Sequence, residues 1–277
     1  MAEVRLAANI LTPEVRRVPG MLAWSQPLET VLPLLHEMGY TGVELITTDP
    51  GQLDGAGLDR LLKRHHLRAE AINTGRICGE LGLTLSHPDR EIRVQAEERM
   101  ADVIRFASRW GIPVNVGIVR GQYLPDVPQS DTYAWTVEAL GRLGELAQSQ
   151  GVTLVLETVC ASMTNFLNTL QEAAALAADV DSPGLGVMYD VYQMALEEPD
   201  LLASIPRYTD LCRHVHLSDR QRKIPGSGGL DFPAIIAAIN EAGYRGPYSI
   251  EIAMEPDAET AHRQAADYLL PLLRHPA

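Results

Sequence analysis

The chain has little cysteine, no long apolar run, no excess of positive charge and no proline- or glycine-rich cluster, and each lack removes a class of protein. Only Cys78, Cys160 and Cys212 occur among 277 residues. They are odd in number, widely spaced and without the paired spacing of a thiolate metal site, so they read as reduced thiols. No apolar stretch approaches the roughly 20 residues that cross a bilayer, so no membrane partner is expected. The start, Met1-Ala-Glu-Val-Arg-Leu, lacks the charged, apolar and small-residue regions of a signal peptide, and the expected location is the cytoplasm. A formal net charge of -13 repels a polyphosphate, and no basic stripe reverses it locally, so nucleic acid is excluded as an expected partner. The 18 prolines and 22 glycines are scattered singly, which suits many short connections and not a linker or a disordered tail. With 46% hydrophobic positions, one large domain spanning 1–277 is the expectation.

What is present is an alternation. Short β-rich runs fall near 5–11, 42–46, 68–73, 113–119, 153–158, 185–190, 214–219 and 247–252, with helical segments between them such as Glu91 to Trp110 and Ser130 to Gln150. Gly39-Tyr40 and Gly243-Tyr244 follow helical runs and precede strands, where a glycine ends a helix in the left-handed conformation. Eight such units in a chain of this length predict an α/β fold, a closed (β/α)8 TIM barrel with its active site at the C-terminal ends of the strands. No Gly-x-Gly-x-x-Gly follows the first strand, so an open dinucleotide-binding sheet loses its main support.

The stretch from Arg213 to Phe232 organises the functional reading. His214, His216 and Ser218 alternate with Val215 and Leu217, so a strand places both imidazoles on one face, and Pro225-Gly-Ser-Gly-Gly229 then forms a loop. If His216 is a ligand at a strand's end, partners belong at the ends of other strands. Strand five closes in Glu157, strand six in Asp190 and strand eight in Glu251, and the successive separations from Glu157 through Asp190 and His216 to Glu251 are 33, 26 and 35 residues. Each separation is close to one βα unit, which sets all four side chains at one level. One such carboxylate can simply cap the next helix; four ligand-type side chains at one depth argue for a site. Mostly hard oxygen donors suit one divalent ion, Mn²⁺ first or Mg²⁺, with Co²⁺ or Zn²⁺ as alternatives.

Several segments then resemble the xylose-isomerase-like barrel family of sugar isomerases and epimerases, in its ketose 3-epimerase and keto-sugar-acid epimerase branch. They are Gly82-Leu-Thr-Leu-Ser-His-Pro-Asp89 with Arg93 and Ala96, Val116-Gly-Ile-Val-Arg-Gly121, Tyr189-Asp-Val-Tyr-Gln-Met-Ala-Leu-Glu-Glu198, His214-Val-His-Leu-Ser-Asp219, and the run from Gly243 to Glu251. The resemblance implies an isomerase in which Glu157, Asp190, His216 and Glu251 bind the metal and Glu157 and Glu251 are also the catalytic acid/base pair. Arg222 matches the arginine that holds the substrate from a loop. The substrate implied is a ketose or keto sugar acid, its proton removed to give a metal-stabilised cis-enediolate and returned on the opposite face. A homodimer or higher homo-oligomer is expected by resemblance alone.

Two positions depart from the epimerase pattern. Met163 stands where a second glutamate is usual, six residues past Glu157, and Gln193 stands where a histidine follows the metal aspartate. Gln193 can hydrogen-bond a sugar hydroxyl but cannot carry a proton at neutral pH. The substrate contacts have therefore changed, and three alternatives stand beside epimerisation: an inosose-type dehydratase, a DNA-repair endonuclease of the same barrel family, and a non-catalytic metal- and sugar-binding homologue. The endonuclease needs several zinc ions and many strand-end histidines, which this chain lacks. Arg120 closes strand four as a further substrate-binding candidate or as an ion-pair partner of a barrel acid. Glu44 reads as a support to the ligands or a buried ion-pair partner, and His214 as a hydrogen-bonded core histidine. Trp24 and Tyr123 read as walls of a sugar site or as plain packing, and His87 as a loop residue. His36, His65, His66, His262 and His275 read as surface residues.

Overall fold

A computed structural model describes residues 4–274. Eight strands form it in chain order: β1 Leu6–Leu11, β2 Gly42–Ile46, β3 Arg68–Asn73, β4 Val114–Val116, β5 Leu154–Glu157, β6 Leu185–Asp190, β7 Cys212–Leu217 and β8 Tyr248–Ile250. Each pairs in parallel with the next, and β8 returns to β1, closing the barrel. Strand β4 is shorter than the sequence predicts. A single 3-10 turn, Ile118–Arg120, follows it at once, so Arg120 does not end a strand.

The strands are buried on both sides because the crossover segments return outside them. In chain order the helices are α1 Leu28–Glu37, α2 Gly55–Arg64, α3 Gly75–Leu81, α4 Arg90–Ala107, α5 Gln129–Ser149, α6 Leu170–Val180, α7 Val191–Glu197, α8 Leu201–Tyr208, α9 Phe232–Glu241 and α10 Ala258–Arg274. Their starts are specified by capping residues. Asp54, Asp89, Asp200 and Asp231 each accept a backbone N–H of the first turn, and Thr169 with Glu172 forms a reciprocal capping box on α6. Gly39 and Gly243 adopt φ of +89° and +97° just past α1 and α9, the left-handed stops the sequence predicts. Among the described residues no helix is long and apolar enough to cross a membrane.

Helix α10 corrects one reading. Ala261, His262, Ala265, Ala266 and Leu269 are all buried and lie on one helical face. His262 is therefore a core residue, not a surface one. Its ring stacks on Trp24 with centroids 5.3 Å apart, and its Nδ1 lies 2.9 Å from Tyr40 Oη. Burial alone lowers its pKa to about 3, so the ring is neutral in the fold. Trp24, at 1% exposure, is packing. His36 and His66 are exposed and His65 is half-buried, whereas His275 lies outside the described residues.

Candidate metal centre and active site

Strand register brings the four predicted ligands together. Asp190 is opposite His216 across β6 and β7, Glu157 is opposite Met188 across β5 and β6, and Glu251 directly follows β8. One ligand atom from each of Glu157, Asp190, His216 and Glu251 falls within 4.8 Å of all the others. His216 Nδ1 is the hub, 3.4 Å from Glu251 Oε2, 3.7 Å from Glu157 Oε1 and 3.9 Å from Asp190 Oδ2.

The hydrogen bonds around this cluster leave its donors aimed inward. His216 Nε2 lies 3.0 Å from both oxygens of the buried Glu44, whose Oε2 also accepts from His214 Nε2 at 2.6 Å. Glu44 thus fixes the tautomer of His216 and turns Nδ1 to the three carboxylates. Burial alone would raise the Glu44 carboxyl, but His216 and then His214 outweigh it and hold it well below the usual range. His214 is the hydrogen-bonded core histidine the sequence predicts. Asp190 divides its two oxygens: Oδ1 caps α7 by accepting from Tyr192 and Gln193 N–H at 3.0 and 3.1 Å, while Oδ2 faces the site. Capping of α7 uses Oδ1, which leaves Oδ2 for the candidate site.

A divalent cation fits this arrangement on the structure's own terms. His216 Nδ1 is buried and has no hydrogen-bond partner among the described residues, although three carboxylate oxygens surround it. A divalent cation among these atoms would take up the Nδ1 lone pair and offset the mutual repulsion of the three carboxylates. Three carboxylates and one imidazole make a donor set suited to a hard or borderline divalent ion.

Arg222 reaches the same place from the strained turn after β7. Gln221 and Arg222 have φ of +61° and +56°, and the turn is secured by Ala253 N–H to Arg222 O at 2.7 Å. Arg222 Nη1 donates to Asp190 Oδ2 at 2.7 Å and Ser218 Oγ at 3.1 Å, lies 2.8 Å from Glu251 Oε2, and its guanidinium covers the Tyr192 ring at 4.6 Å. The two glutamates differ as a result. Burial, then the facing Glu251 charge, push Glu157 up. Burial would also raise Glu251, but Arg222 and then His216 outweigh it and hold it down.

The remaining predicted site residues are placed differently. Arg120 is fully buried, and among the described residues its guanidinium donates only to the carbonyls of Gly117, Glu157, Phe166 and Leu167. Gln193 is buried beside the site, with Oε1 accepting from Cys160 N–H at 2.9 Å, which leaves its amide NH₂ for a ligand. Met163, at 60% exposure, stands on the rim. Tyr123 packs on Phe166, with centroids 4.7 Å apart, and His87 Nδ1 accepts from Asp89 N–H ahead of α4. Three residues escaped the sequence reading. Asn115 Nδ2 donates to Glu157 Oε2 at 2.8 Å, and Asn9 and Asn73 Nδ2 each reach Glu251 Oε1 at 3.4 Å. Their signal was a lone amide in the otherwise apolar β1 and β4 and one closing β3, each of which has no place in a barrel core unless it holds another polar group.

Comparison with known proteins identifies the family of the barrel. The family described as xylose isomerase-like TIM barrel matches residues 32–272. An L-ribulose 3-epimerase of Methylomonas sp. (strain DH-1) is 29% identical over 220 residues, covering 77% of this chain and 74% of that protein. A ketose 3-epimerase of Arthrobacter globiformis is 28% identical over 223 residues, covering 78% of this chain and 74% of its own. The solved D-allulose 3-epimerase from Methylomonas sp., in complex with D-allulose, superposes with a TM-score of 0.80 over 98% of both chains at 23% identity.

Proposed function

The chain belongs to the xylose isomerase-like TIM barrel family, and from that premise we propose that it is a metal-dependent epimerase of a ketose or keto sugar acid. Its curated relatives are epimerases, which places it among the isomerases. The observation that carries the reading is the pairing of Glu157 and Glu251 across one cation-suited cluster. Glu157 ends β5 and Glu251 directly follows β8, three strands apart in a closed ring of eight, and so they approach the space between them from different walls.

A C–H beside a ketone is too weak an acid for a carboxylate unless the charge left on oxygen is stabilised. A divalent ion held by Glu157, Asp190, His216 and Glu251 would supply that stabilisation, worth several kcal/mol. Glu157 is suited to take the proton from one face. Glu251 is suited to return a proton on the other, and the NH₂ of Gln193 and the guanidinium of Arg222 orient the hydroxyls. A positioned acid or base adds about 10² to 10⁴ in rate. The outcome is inversion at the carbon beside the ketone.

The test is a screen of ketoses and keto sugar acids in deuterated buffer with Mn²⁺, read by NMR. The expected result is label at one carbon with formation of its epimer. Label accompanied by loss of water would replace the epimerase by a dehydratase. No label in any candidate, with Mn²⁺ bound, would make the barrel a binding protein.

A further inference from the structure

The environment of Glu157 contains more than its ligand role requires, and all of it comes from the end of β4. Asn115 Nδ2 donates to Glu157 Oε2 at 2.8 Å. Gly117 lies against that same oxygen: a Cβ at this position would stand 2.5 Å from Glu157 Oε2 and 3.1 Å from Asn115 Oδ1. Any side chain here must displace the carboxylate.

Arg120, three residues on, holds the main chain. Nη1 donates to Gly117 O at 2.7 Å and to Glu157 O at 3.0 Å, Nε to Phe166 O at 3.1 Å, and Nη2 to Phe166 O at 2.6 Å and Leu167 O at 3.1 Å. A guanidinium has five N–H donors in one plane, and these five bonds use the full set. They join the turn after β4, the carbonyl of Glu157 and the far end of the loop from 158 to 169. Leu167 is held at φ +59°, a conformation leucine avoids, and its carbonyl also accepts from Val159 N–H at 3.2 Å, so the clamp closes the loop on itself. This loop carries the exposed Met163. It offers no charged side chain of its own between 158 and 169 to fix Glu157.

We propose that Arg120, Asn115 and Gly117 form a positioning unit for Glu157. Arg120 sets its main chain and the following loop, Asn115 anchors one carboxylate oxygen, and Gly117 leaves the room that oxygen occupies. None of the three touches the substrate. The inference rests on Glu157 being both a ligand and the group that moves the proton. A displacement of about 1 Å at such a group can lower turnover by about 10²-fold, and loss of a group supporting a metal ligand lowers affinity about 10- to 100-fold.

Gly117→Ala and Arg120→Lys test it. For Gly117→Ala, calorimetry with Mn²⁺ alone should show affinity lowered about 10-fold, with the circular dichroism spectrum unchanged. On a ketose that the wild type turns over, kcat at saturating Mn²⁺ should fall about 10²-fold with KM within about threefold. Arg120→Lys places three donors where five are needed, and amide hydrogen exchange over 158–169 should speed up at least about tenfold while the other strands stay protected. Wild-type Mn²⁺ affinity in Gly117→Ala together with wild-type protection of the loop in Arg120→Lys would overturn the inference. So would a lower melting temperature in both variants with neither readout changed, because that marks a purely structural role. If the wild type turns over no sugar, the proposed function fails, while the metal and amide-exchange readouts still decide this inference.

Discussion

Glu157 and Glu251 are the same side chain at the same depth of one barrel, yet the protein surrounds them differently. Glu157 has a neutral amide and a glycine for neighbours on the β4 side, and burial raises its proton affinity. Glu251 has the Arg222 guanidinium at 2.8 Å and His216 at 3.4 Å, and these outweigh an equal burial. The difference teaches that proton affinity is assigned by the neighbouring strands and loops.

The largest expected effect comes from abolishing each member in turn. Glu157→Gln and Glu251→Gln keep an oxygen donor but lose the group that handles the proton, so epimerisation should fall about 10²- to 10⁴-fold while Mn²⁺ remains detectable by calorimetry. With a given substrate only one variant, the one that keeps the glutamate facing its C–H, should still exchange that proton, and the two should trade roles with the epimeric substrate. Equal exchange and equal residual inversion in both would show that another group moves the proton.

Removing the cation that distinguishes the pair should have the next largest effect. Arg222→Met takes away charge-assisted bonds each worth about 1.5–3 kcal/mol, and kcat/KM should fall about 10- to 150-fold. In an infrared titration of the metal-free protein, the Glu251 carboxyl should then move up toward that of Glu157. Retention of full activity would show that the asymmetry does not depend on Arg222.

Glu44 supports the ligand between the two glutamates. Glu44→Gln should weaken Mn²⁺ binding about 10- to 100-fold, as outer partners of metal-bound histidines do, while circular dichroism stays native. Unchanged affinity would separate His216 orientation from metal binding.

The smallest effect serves as a reference, a buried titratable group that faces no carboxylate. The pKa of His262 is lowered to about 3 against an ordinary value near 6.5. Below pH 6.5 the unfolded chain takes up a proton that the folded one refuses. The stability from the neutral ring is therefore full above 6.5 and falls by about 1.4 kcal/mol per pH unit until the pH nears 3. Urea midpoints between pH 7 and 5 should show this slope, and His262→Phe should flatten it. An equal slope in the variant would assign the acid sensitivity elsewhere.

The site was legible in the sequence wherever a strand pattern ended in a ligand-type residue. Glu157, Asp190, His216 and Glu251 each close or follow an apolar run, and βα spacing sets them at one level. Asn9, Asn73 and Asn115 were not legible, because an isolated amide in a strand names no partner until strands distant in sequence are brought together. Arg120 misled for a related reason. Four carbonyl acceptors, from a turn, the end of β5 and a loop 46 residues away, surround it only in the folded chain. For His262 the helical spacing with Ala265, Ala266 and Leu269 was present in the sequence, but only the packing of α10 over Trp24 and Tyr40 made that face the core.

By itself, then, the sequence determined the barrel and the common depth of its four candidate ligands. Periodicity and spacing are local properties that each βα unit repeats. The tertiary structure alone decided which carboxylate carries the raised proton affinity, which nitrogen of His216 faces inward, and that Arg120 serves the main chain. Burial and charge proximity act through space, and the neighbours that set them, Glu44 for His216 and Arg222 for Glu251, come from other units of the barrel.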